Sequence, residues 1–526
     1  MSNALALIRT LIIYSLCLPL AVFLGYLLAM PMDPVSFTIV VVAVLLPLVP
    51  FLLKYHHLLL FACWNTSAML FFLPGRPNLW LIMTAVSFTL SILHHILNRD
   101  IKFLSVPSVT RPLIFLTLVI IITANLTGGF GVRVMGSDTM GGKRYFLLLG
   151  AIAGYFGMAS YQAPEGRAIN YATLYLLGGV TAIIGSMAAF VNPFFFPVFA
   201  MFPVEDLQAL YGGGTEEIST MRLGGLSFAC MAIFFFLLAR HGVAGVIPLG
   251  ERWNFMPVRL RGGFGVNHPW RVFLFLAIIW VALMGGYRSI AVLLALTFVI
   301  QFYHEGLFRS QLLPMFVLAG ALVVVISLPM VNKMPLTIQR TLSFLPIDVD
   351  PAARLGAEGS TEWRLQIWRA VLPTVPRYLL LGKGYAINPN EMEKLQLPSV
   401  ASSESVGEGA ALAGDYHSGP LSLIIPLGIF GVIGFLWFLV AGLRVLRNNF
   451  RHGDPELRQV NTFLLSYFIA RTLYFCFVFG SFYGELAVFT GLIGLSVSIN
   501  GGMRKPAPAP IEKPAFTQFK LARATR

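Results

Sequence analysis

The chain has 526 residues, of which 57% are hydrophobic and only 11% are charged, and its formal net charge is +14. Soluble domains carry roughly 25% charged residues, so this composition excludes an ordinary soluble protein. The basic residues cluster in short segments between long apolar stretches, which is typical of cytoplasmic membrane loops. We therefore interpret the positive charge as a sign of membrane topology and predict no nucleic-acid partner.

Apolar stretches of about 20 residues, the length that a helix needs to cross the hydrocarbon core, recur along the chain. They predict an all-α, polytopic transmembrane helix bundle with about 12–14 spans. The first stretch is too long for the apolar region of a signal peptide and is followed at once by more spans, so we interpret it as a transmembrane helix. The predicted spans are 5–28, 35–53, 57–73, 79–97, 112–127, 145–161, 168–190, 224–240, 270–284, 287–303, 312–331, 419–443, 461–478 and 483–499.

The placement of Lys and Arg predicts the orientation of these spans. Segments 240–271 and 444–460 are rich in arginine, whereas 191–221 holds four carboxylates and no Lys or Arg. With an even number of spans, the basic segments and both termini are cytoplasmic, and the loop 332–417 between the eleventh and twelfth spans is periplasmic. The basic residues of 128–144 run against this orientation. The predicted location is the inner membrane of a bacterium, with the functional site facing the periplasm.

Composition divides the chain into five segments. Within the long loop, residues 361–384 mix Trp and Arg with apolar residues, which predicts one or two short helices at the membrane interface. Residues 399–414 are mainly Ser, Glu, Gly and Ala, which predicts a mobile loop that acts as a lid or substrate gate. The segments are N-terminal transmembrane helices (1–190), central transmembrane helices (191–331), the periplasmic loop (332–417), C-terminal transmembrane helices (418–502) and a disordered basic tail (503–526).

The composition offers little support for a metal site. The four cysteines lie in separate apolar segments without CxxC spacing, so we interpret them as buried hydrophobes. Asp348 and Asp350 are the nearest approach to a metal-binding carboxylate pair in the predicted outer loops. We interpret them as part of a loop or helix cap. No metal and no cofactor are predicted.

Three residues capable of chemistry fall at the predicted outer ends of spans. Arg222 precedes the eighth span, Arg288 opens the tenth within the hairpin Gly285–Ser289, and His417 ends the long loop. A lone arginine at a helix end often only reaches lipid headgroups, and a lone interfacial histidine is more often structural. Their interpretation therefore depends on the surrounding pattern.

That pattern is His417–Ser418, then nine residues, then Gly428–Gly431 in the form GxxG. It resembles the signature of the O-antigen ligase and polymerase superfamily of membrane glycosyltransferases. The resemblance extends over about 222–435. Further segments that resemble the family's motifs are Arg222–Gly225, Gly286–Ser289, Trp363–Trp368 and Leu379–Gly384.

The resemblance implies an enzyme of polysaccharide and lipopolysaccharide biosynthesis in the cell envelope, a lipid-linked-oligosaccharide glycosyltransferase. Its donor would be a glycan on undecaprenyl diphosphate in the membrane. Its acceptor would be a hydroxyl of lipid A–core, of a growing glycan or of a protein. No metal would take part.

The resemblance also implies roles for the motif residues. Arg288, helped by Arg222 and Arg364, would hold the diphosphate, because a guanidinium makes paired hydrogen bonds to phosphate oxygens and stays charged. His417 would take the proton of the acceptor hydroxyl as general base. Asp415 would orient the imidazole. Tyr287, in the arginine motif, is a further candidate for substrate binding.

Two other functions fit parts of the sequence. A polymerase of the same superfamily would use the same donor and a similar site. A polysaccharide-lipid transporter or flippase would also have many spans and basic inner loops. A transporter would, however, place polar residues at the midplane and break matching helices in its two halves. Here the polar residues gather at the predicted outer rim and in one large loop.

Overall fold

The computed structural model describes residues 34–73, 75–98, 103–131, 141–203, 223–246, 269–310, 312–343, 347–387, 414 and 416–506. The chain forms two compact units, residues 1–59 and 60–526. Within the described ranges the regular structure is helical, apart from one isolated antiparallel bridge between Met69 and Asn78. The prediction of an all-α protein is confirmed for this part of the chain.

The helices are labelled here in chain order. The first nine are α1 (Pro34–Trp64), α2 (Leu79–Leu97), α3 (Pro107–Leu126), α4 (Gly142–Met158), α5 (Ala168–Ser186), α6 (Gly224–Val246), α7 (Pro269–Met284), α8 (Arg288–His304) and α9 (Leu312–Ser327). The others are α10 (Leu336–Leu342), α11 (Pro351–Val371), α12 (Val375–Tyr378), α13 (Gly419–His452), α14 (Arg458–Phe477) and α15 (Phe482–Asn500). In the first unit, the described residues 34–59 belong to α1.

Among the residues that the structure describes, seven helical segments are long and apolar enough to cross a bilayer by length and composition. They are Leu79–Leu97, Pro107–Leu126, Ala168–Ser186, Gly224–Val246, Gly419–His452, Pro455–Phe477 and Phe482–Asn500. Shorter apolar helices occupy Trp270–Met284 and Arg288–His304. The protein is therefore a multi-pass membrane protein. The predicted total of spans and the periplasmic position of the long loop stay predictions.

The prediction of two separate spans at 35–53 and 57–73 is wrong. The structure has one helix of 31 residues, Pro34–Trp64, and residues 65–73 are not helical. Lys54, His56 and His57 lower the local hydropathy, but they keep their backbone N–H groups and do not break a helix. Hydropathy therefore placed a boundary where the backbone has none.

Other predicted boundaries shift for related reasons. The helix that contains the predicted span 419–443 continues to His452. Its last turns carry arginines, whose long side chains can reach water from a helix that extends beyond the apolar stretch. The span 168–190 ends as a helix at Ser186 after a 3-10 turn at Gly178–Thr181. The predicted first span, 5–28, lies outside the described residues.

The predicted helices of the long loop are present, with different limits. The main one, α11, begins at Pro351, upstream of the predicted 361, and short α12 follows it. The predicted lid 399–414 lies outside the described residues except for Gly414, and the tail from 507 lies outside them entirely.

The interpretation of the cysteines as buried hydrophobes is partly wrong. Cys230 is buried and Cys63 is half-buried, but Cys476 is exposed on α14. An apolar helix of a membrane bundle has two apolar environments, the protein interior and the lipid, and composition does not separate them. All three thiols are free, and Cys17 lies outside the described residues.

Helix α15 lies at the centre of the second unit. The apolar stretch of this helix is 78% buried, and the helix packs along α4 and against α13 and α14. Helix α14 packs in turn against α6 and α8. Helices α14 and α15 carry Arg471 and Glu485, two residues of the site described below.

Helix α13 is interrupted at Gly428, whose φ of 64° and ψ of −165° lie in a region that only glycine adopts readily. The interruption leaves carbonyl groups of the preceding turn without helical partners. The carbonyls of Ile425 and Pro426 accept hydrogen bonds from the backbone N–H groups of Lys383 (2.7 Å) and Gly384 (3.0 Å). Within the GxxG motif, the N–H of Ile429 donates to the carbonyl of Leu379 at 2.7 Å, so this motif and the Leu379–Gly384 motif bind each other.

Replacing Gly428 with alanine should destabilise the protein by about 1–2 kcal/mol or more, because the left-handed backbone disfavours a Cβ atom. A Cβ at this position would also collide with the carbonyl oxygen of Leu380. Gly320→Ala in α9 is the matched control, since no other atom lies within 4 Å of the added Cβ. Thermal unfolding in detergent measures both variants. Equal unfolding temperatures for the two would contradict this explanation of the motif.

Candidate active site

Helix α11 contacts the start of α8 through Arg288 and the start of α13 through a shared apolar cluster. Asp350 caps it by accepting a hydrogen bond from the N–H of Ala352 at 2.8 Å, so the predicted cap is confirmed. Its buried residues Ala353, Ala357, Ile367 and Val371 repeat at helical spacing. The same helix carries Trp363, Arg364 and Trp368, and so the family-like WRLQIW segment is brought to the site by an amphipathic helix.

His417 lies directly before α13 in a left-handed backbone conformation, with φ of 47°. Its ring meets the ring of Trp363 edge to face, with centroids 4.5 Å apart, and that of Phe479 at 5.2 Å. The preceding residue, Tyr416, accepts a hydrogen bond at its carbonyl from the indole N–H of Trp368 at 3.0 Å. Contacts on both sides thus hold the imidazole in one place.

Replacing Trp368 with phenylalanine should loosen this segment while keeping most of the packing. The carbonyl of Tyr416 then loses its donor, and a hydrogen bond of about 1 kcal/mol corresponds to roughly fivefold faster backbone opening. Hydrogen exchange of a peptide spanning 416–422 measures the change. Trp270→Phe, at a site that is 54% exposed, is the control. Unchanged exchange in Trp368→Phe would show that this bond does not hold His417.

A cavity of about 830 Å³ lies beneath α11, a size typical of small-ligand sites. The imidazole of His417 lines it, together with the charged side chains of Arg340, Arg364, Arg471 and Glu485. Its apolar lining includes the rings of Trp363, Tyr474 and Phe479. We call it the histidine cavity. Cationic, anionic and aromatic groups thus surround one space.

The hairpin Gly285–Ser289, which contains Arg288, lies beside this cavity. Gly286 has a φ of 77°, which allows the tight turn before α8. Gly285 lies so close to Ser227 of α6 that a Cβ atom would collide with the hydroxyl. The two glycines therefore place Tyr287 and Arg288 at the start of α8, against the bundle.

Arg288 contacts α11 directly. Its Nη2 donates to the carbonyl of Ala357 at 2.9 Å and lies 3.5 Å from the hydroxyl of Thr361. It lines two smaller cavities, of about 530 and 460 Å³, but does not line the histidine cavity. We call the 530 Å³ space the arginine cavity. Its wall shares Tyr287, Ser289, Arg340, Ser360 and Arg364 with the histidine cavity.

Arg471 and Glu485 form a buried ion pair in the wall of the histidine cavity. Arg471 donates from Nε at 2.7 Å and from Nη2 at 2.6 Å to the two carboxylate oxygens. The side chains are 14% and 7% exposed. The guanidinium also lies over the ring of Tyr474, 5.0 Å from its centroid. The pair joins the end of α14 to the start of α15.

The structure brings some of the predicted site residues together. His417, Arg364 and Tyr287 line the histidine cavity, and Arg288 lines the adjoining arginine cavity. Arg222 and Asp415 lie outside the described residues.

Three charged residues of the site were absent from the predictions, namely Arg340, Arg471 and Glu485. Arg471 and Glu485 did carry a signal in the sequence, because ionisable residues inside apolar spans are functional candidates by default. Arg340 had none, since a single arginine in a long loop is ordinary.

The fold and cavities define a multi-pass membrane protein with a cationic site beside the amphipathic helix α11. Residues 272–436 match the family model described as O-antigen ligase. The matched segment includes Arg288, Arg364, His417 and the interrupted turn at Gly428. The predicted resemblance to the O-antigen ligase superfamily is thereby confirmed for this segment. A search of curated proteins finds no match to the chain.

Proposed function

We propose that the protein transfers a glycan from undecaprenyl diphosphate to an acceptor hydroxyl at the periplasmic face of a bacterial inner membrane. The observation that carries the proposal is the arrangement of His417, Arg364 and Arg288. Arg364 lines the histidine cavity with His417 and also lines the arginine cavity with Arg288. All three residues fall within the segment that matches the O-antigen ligase family.

The arginines suit a diphosphate donor. The diphosphate diester is a dianion and gains further negative charge as the glycan leaves. Arg288, Arg340 and Arg364 line the arginine cavity, and a guanidinium stays charged while it makes paired hydrogen bonds to phosphate oxygens. Donors already in place where charge develops lower the barrier most effectively. The arginine cavity is therefore the proposed diphosphate site.

His417 suits the role of general base. The acceptor oxygen forms a bond to the anomeric carbon while the bond from that carbon to the phosphate oxygen breaks. The hydroxyl proton passes to the imidazole of His417, and the carrier leaves as undecaprenyl diphosphate. The rings of Trp363 and Phe479 hold the imidazole so that it need not reorient during the reaction. Attack from the face opposite the phosphate inverts the anomeric centre.

Reconstituted protein tests this function directly. Proteoliposomes would contain a glycan on undecaprenyl diphosphate and lipid A–core as acceptor. We expect free undecaprenyl diphosphate and glycosylated acceptor to appear in equal amounts. A ladder of longer carrier-linked glycans would instead identify a polymerase. Movement of the intact donor across the bilayer without cleavage would identify a transporter and overturn the proposal.

Chelation of divalent cations should leave transfer within about twofold of its original rate, because the guanidinium groups supply the positive charge that the diphosphate needs. The measurement is the rate of carrier release with and without EDTA in the same proteoliposomes. A large loss of rate that Mg²⁺ restores would contradict the assignment of charge neutralisation to the arginines.

A further inference from the structure

We propose that the Arg471–Glu485 pair forms the subsite that binds the sugar ring carrying the acceptor hydroxyl. This inference rests on the proposed function and assigns one wall of its cavity. Both residues lie beyond the segment 272–436 that matches the O-antigen ligase family. They line the same cavity as His417, the proposed base.

The pair retains hydrogen-bonding capacity after its own contact is made. Two N–H groups of Arg471 donate to Glu485, one to each carboxylate oxygen. A guanidinium has further N–H donors, and each carboxylate oxygen has a second lone pair. Because both residues line the cavity, these groups are available to the hydroxyls of a ligand.

A purely structural role explains the pair less well. Removing two charged side chains from water is costly, and well-packed apolar residues often join two helices at no loss of stability. Here the side chains are 14% and 7% exposed, so most of their hydration is lost. A polar ligand in the cavity would complete the hydrogen bonds of the pair and so offset the cost of removing it from water.

The electrostatics of this wall favour a sugar over the diphosphate. Glu485 neutralises the charge of Arg471 within the pair, so the pair attracts a dianion weakly. Arg340 and Arg364 lie in the wall that the two cavities share, and Arg288, which does not line the histidine cavity, adds a further positive charge at the arginine cavity. The two ends of the site therefore differ in charge. The diphosphate belongs at the arginine cavity and a neutral hydroxylated ring at the ion pair.

The aromatic lining of the histidine cavity supports the same assignment. Trp363, Tyr474 and Phe479 line it together with the ion pair. A sugar ring has an apolar C–H face that packs against an aromatic ring, and a rim of hydroxyls that bonds to planar charged groups. Phe479 and Trp363 also contact His417, so a ring bound against them lies beside the base.

Glu485→Gln tests the subsite with little change in shape. Acceptor is titrated at fixed donor, with lipid A–core and a short repeat-unit glycan as the two probes. Loss of a charge-assisted hydrogen bond should raise the half-saturating acceptor concentration about tenfold or more. The affinity for glycan-free undecaprenyl diphosphate in nanodiscs should not fall, because the substitution removes a negative charge and keeps the positive charge of Arg471. Arg369→Gln, at an exposed ion pair on α11, is the control.

The exchange Arg471→Glu with Glu485→Arg separates ligand binding from structural support. The double variant keeps an ion pair between α14 and α15, so its unfolding temperature should return towards that of the wild type. The subsite predicts that acceptor half-saturation stays raised. Recovery of both properties, or an unchanged acceptor half-saturation in Glu485→Gln, would overturn the inference. Absence of carrier release and of acceptor glycosylation by the wild-type protein would instead remove the proposed function itself, so the two failures are distinguishable.

Discussion

Replacing His417 with alanine is expected to lower the rate of glycan transfer by about 10²- to 10⁴-fold, the usual contribution of a general base. The acceptor hydroxyl then loses the group that removes its proton, whereas the arginines still hold the donor. Carrier-linked glycan should accumulate, and affinity for undecaprenyl diphosphate should change little. The measurements are the single-turnover rate in proteoliposomes and the glycan profile of expressing cells on gels.

His417→Asn is the matched variant for this position. Asparagine tolerates the left-handed backbone that His417 adopts, so the turn before α13 is kept. It cannot act as a base near neutral pH. We expect the same loss of rate as in His417→Ala, with an unfolding temperature close to that of the wild type. Transfer at the original rate in a correctly folded His417→Asn protein would contradict the assigned role.

Replacing Arg364 with alanine is expected to lower transfer by about 10²- to 10³-fold, as for loss of one donor aimed at developing charge. Arg364 lies in the wall shared by the histidine and arginine cavities, where the leaving diphosphate is proposed to lie. Affinity for undecaprenyl diphosphate should fall as well. Titration in nanodiscs measures the affinity, and carrier release measures the rate.

Arg369→Ala provides the control for Arg364 on the same helix. The Arg369 side chain is 72% exposed and lies 3.4 Å from Glu362, a surface pair of small energetic weight. Its loss should leave the rate near that of the wild type. Arg364→Lys should be intermediate, because lysine keeps the charge without the paired hydrogen bonds. Equal activities of the Arg364→Ala and Arg369→Ala proteins would show that Arg364 does not act on the diphosphate.

The sequence was a good guide to features that arise from local pattern. Apolar length predicted α2, α7 and α8 to within a residue or two, because a membrane-crossing helix needs a continuous apolar stretch. The Gly285–Gly286 hairpin and the Asp350 cap were also visible as local signals. The predicted outer ends of the spans pointed to His417, and the motif resemblance added Arg364, before any geometry was known.

Features that depend on tertiary contacts were not predictable in this way. Nothing in the spacing of Leu379–Gly384 and Gly428–Gly431 says that one segment donates hydrogen bonds to the other. The ion pair of Arg471 and Glu485 joins two helices that hydropathy treats separately. Arg288 lines the arginine cavity and His417 lines the histidine cavity. The sequence placed both residues at the same level of the membrane, which does not show that they line different cavities.

The interrupted turn of α13 gives the glycine motifs a physical role. Gly382 and Gly428 have positive φ values, and a Cβ on either would collide with backbone of the other segment. Glycine is therefore needed at both positions for the two backbones to touch. Since α13 begins two residues after His417, this contact fixes the helix that presents the proposed base.

The central claim is that His417 and the arginines act on one lipid-linked donor. Its most direct test is an electron cryomicroscopy structure of the inactive His417→Asn protein in nanodiscs with undecaprenyl-diphosphate-linked glycan. We predict the diphosphate within hydrogen-bonding distance of Arg364 and Arg288, with the anomeric carbon facing residue 417. A diphosphate bound away from these arginines, or a glycan pointing away from residue 417, would contradict the account.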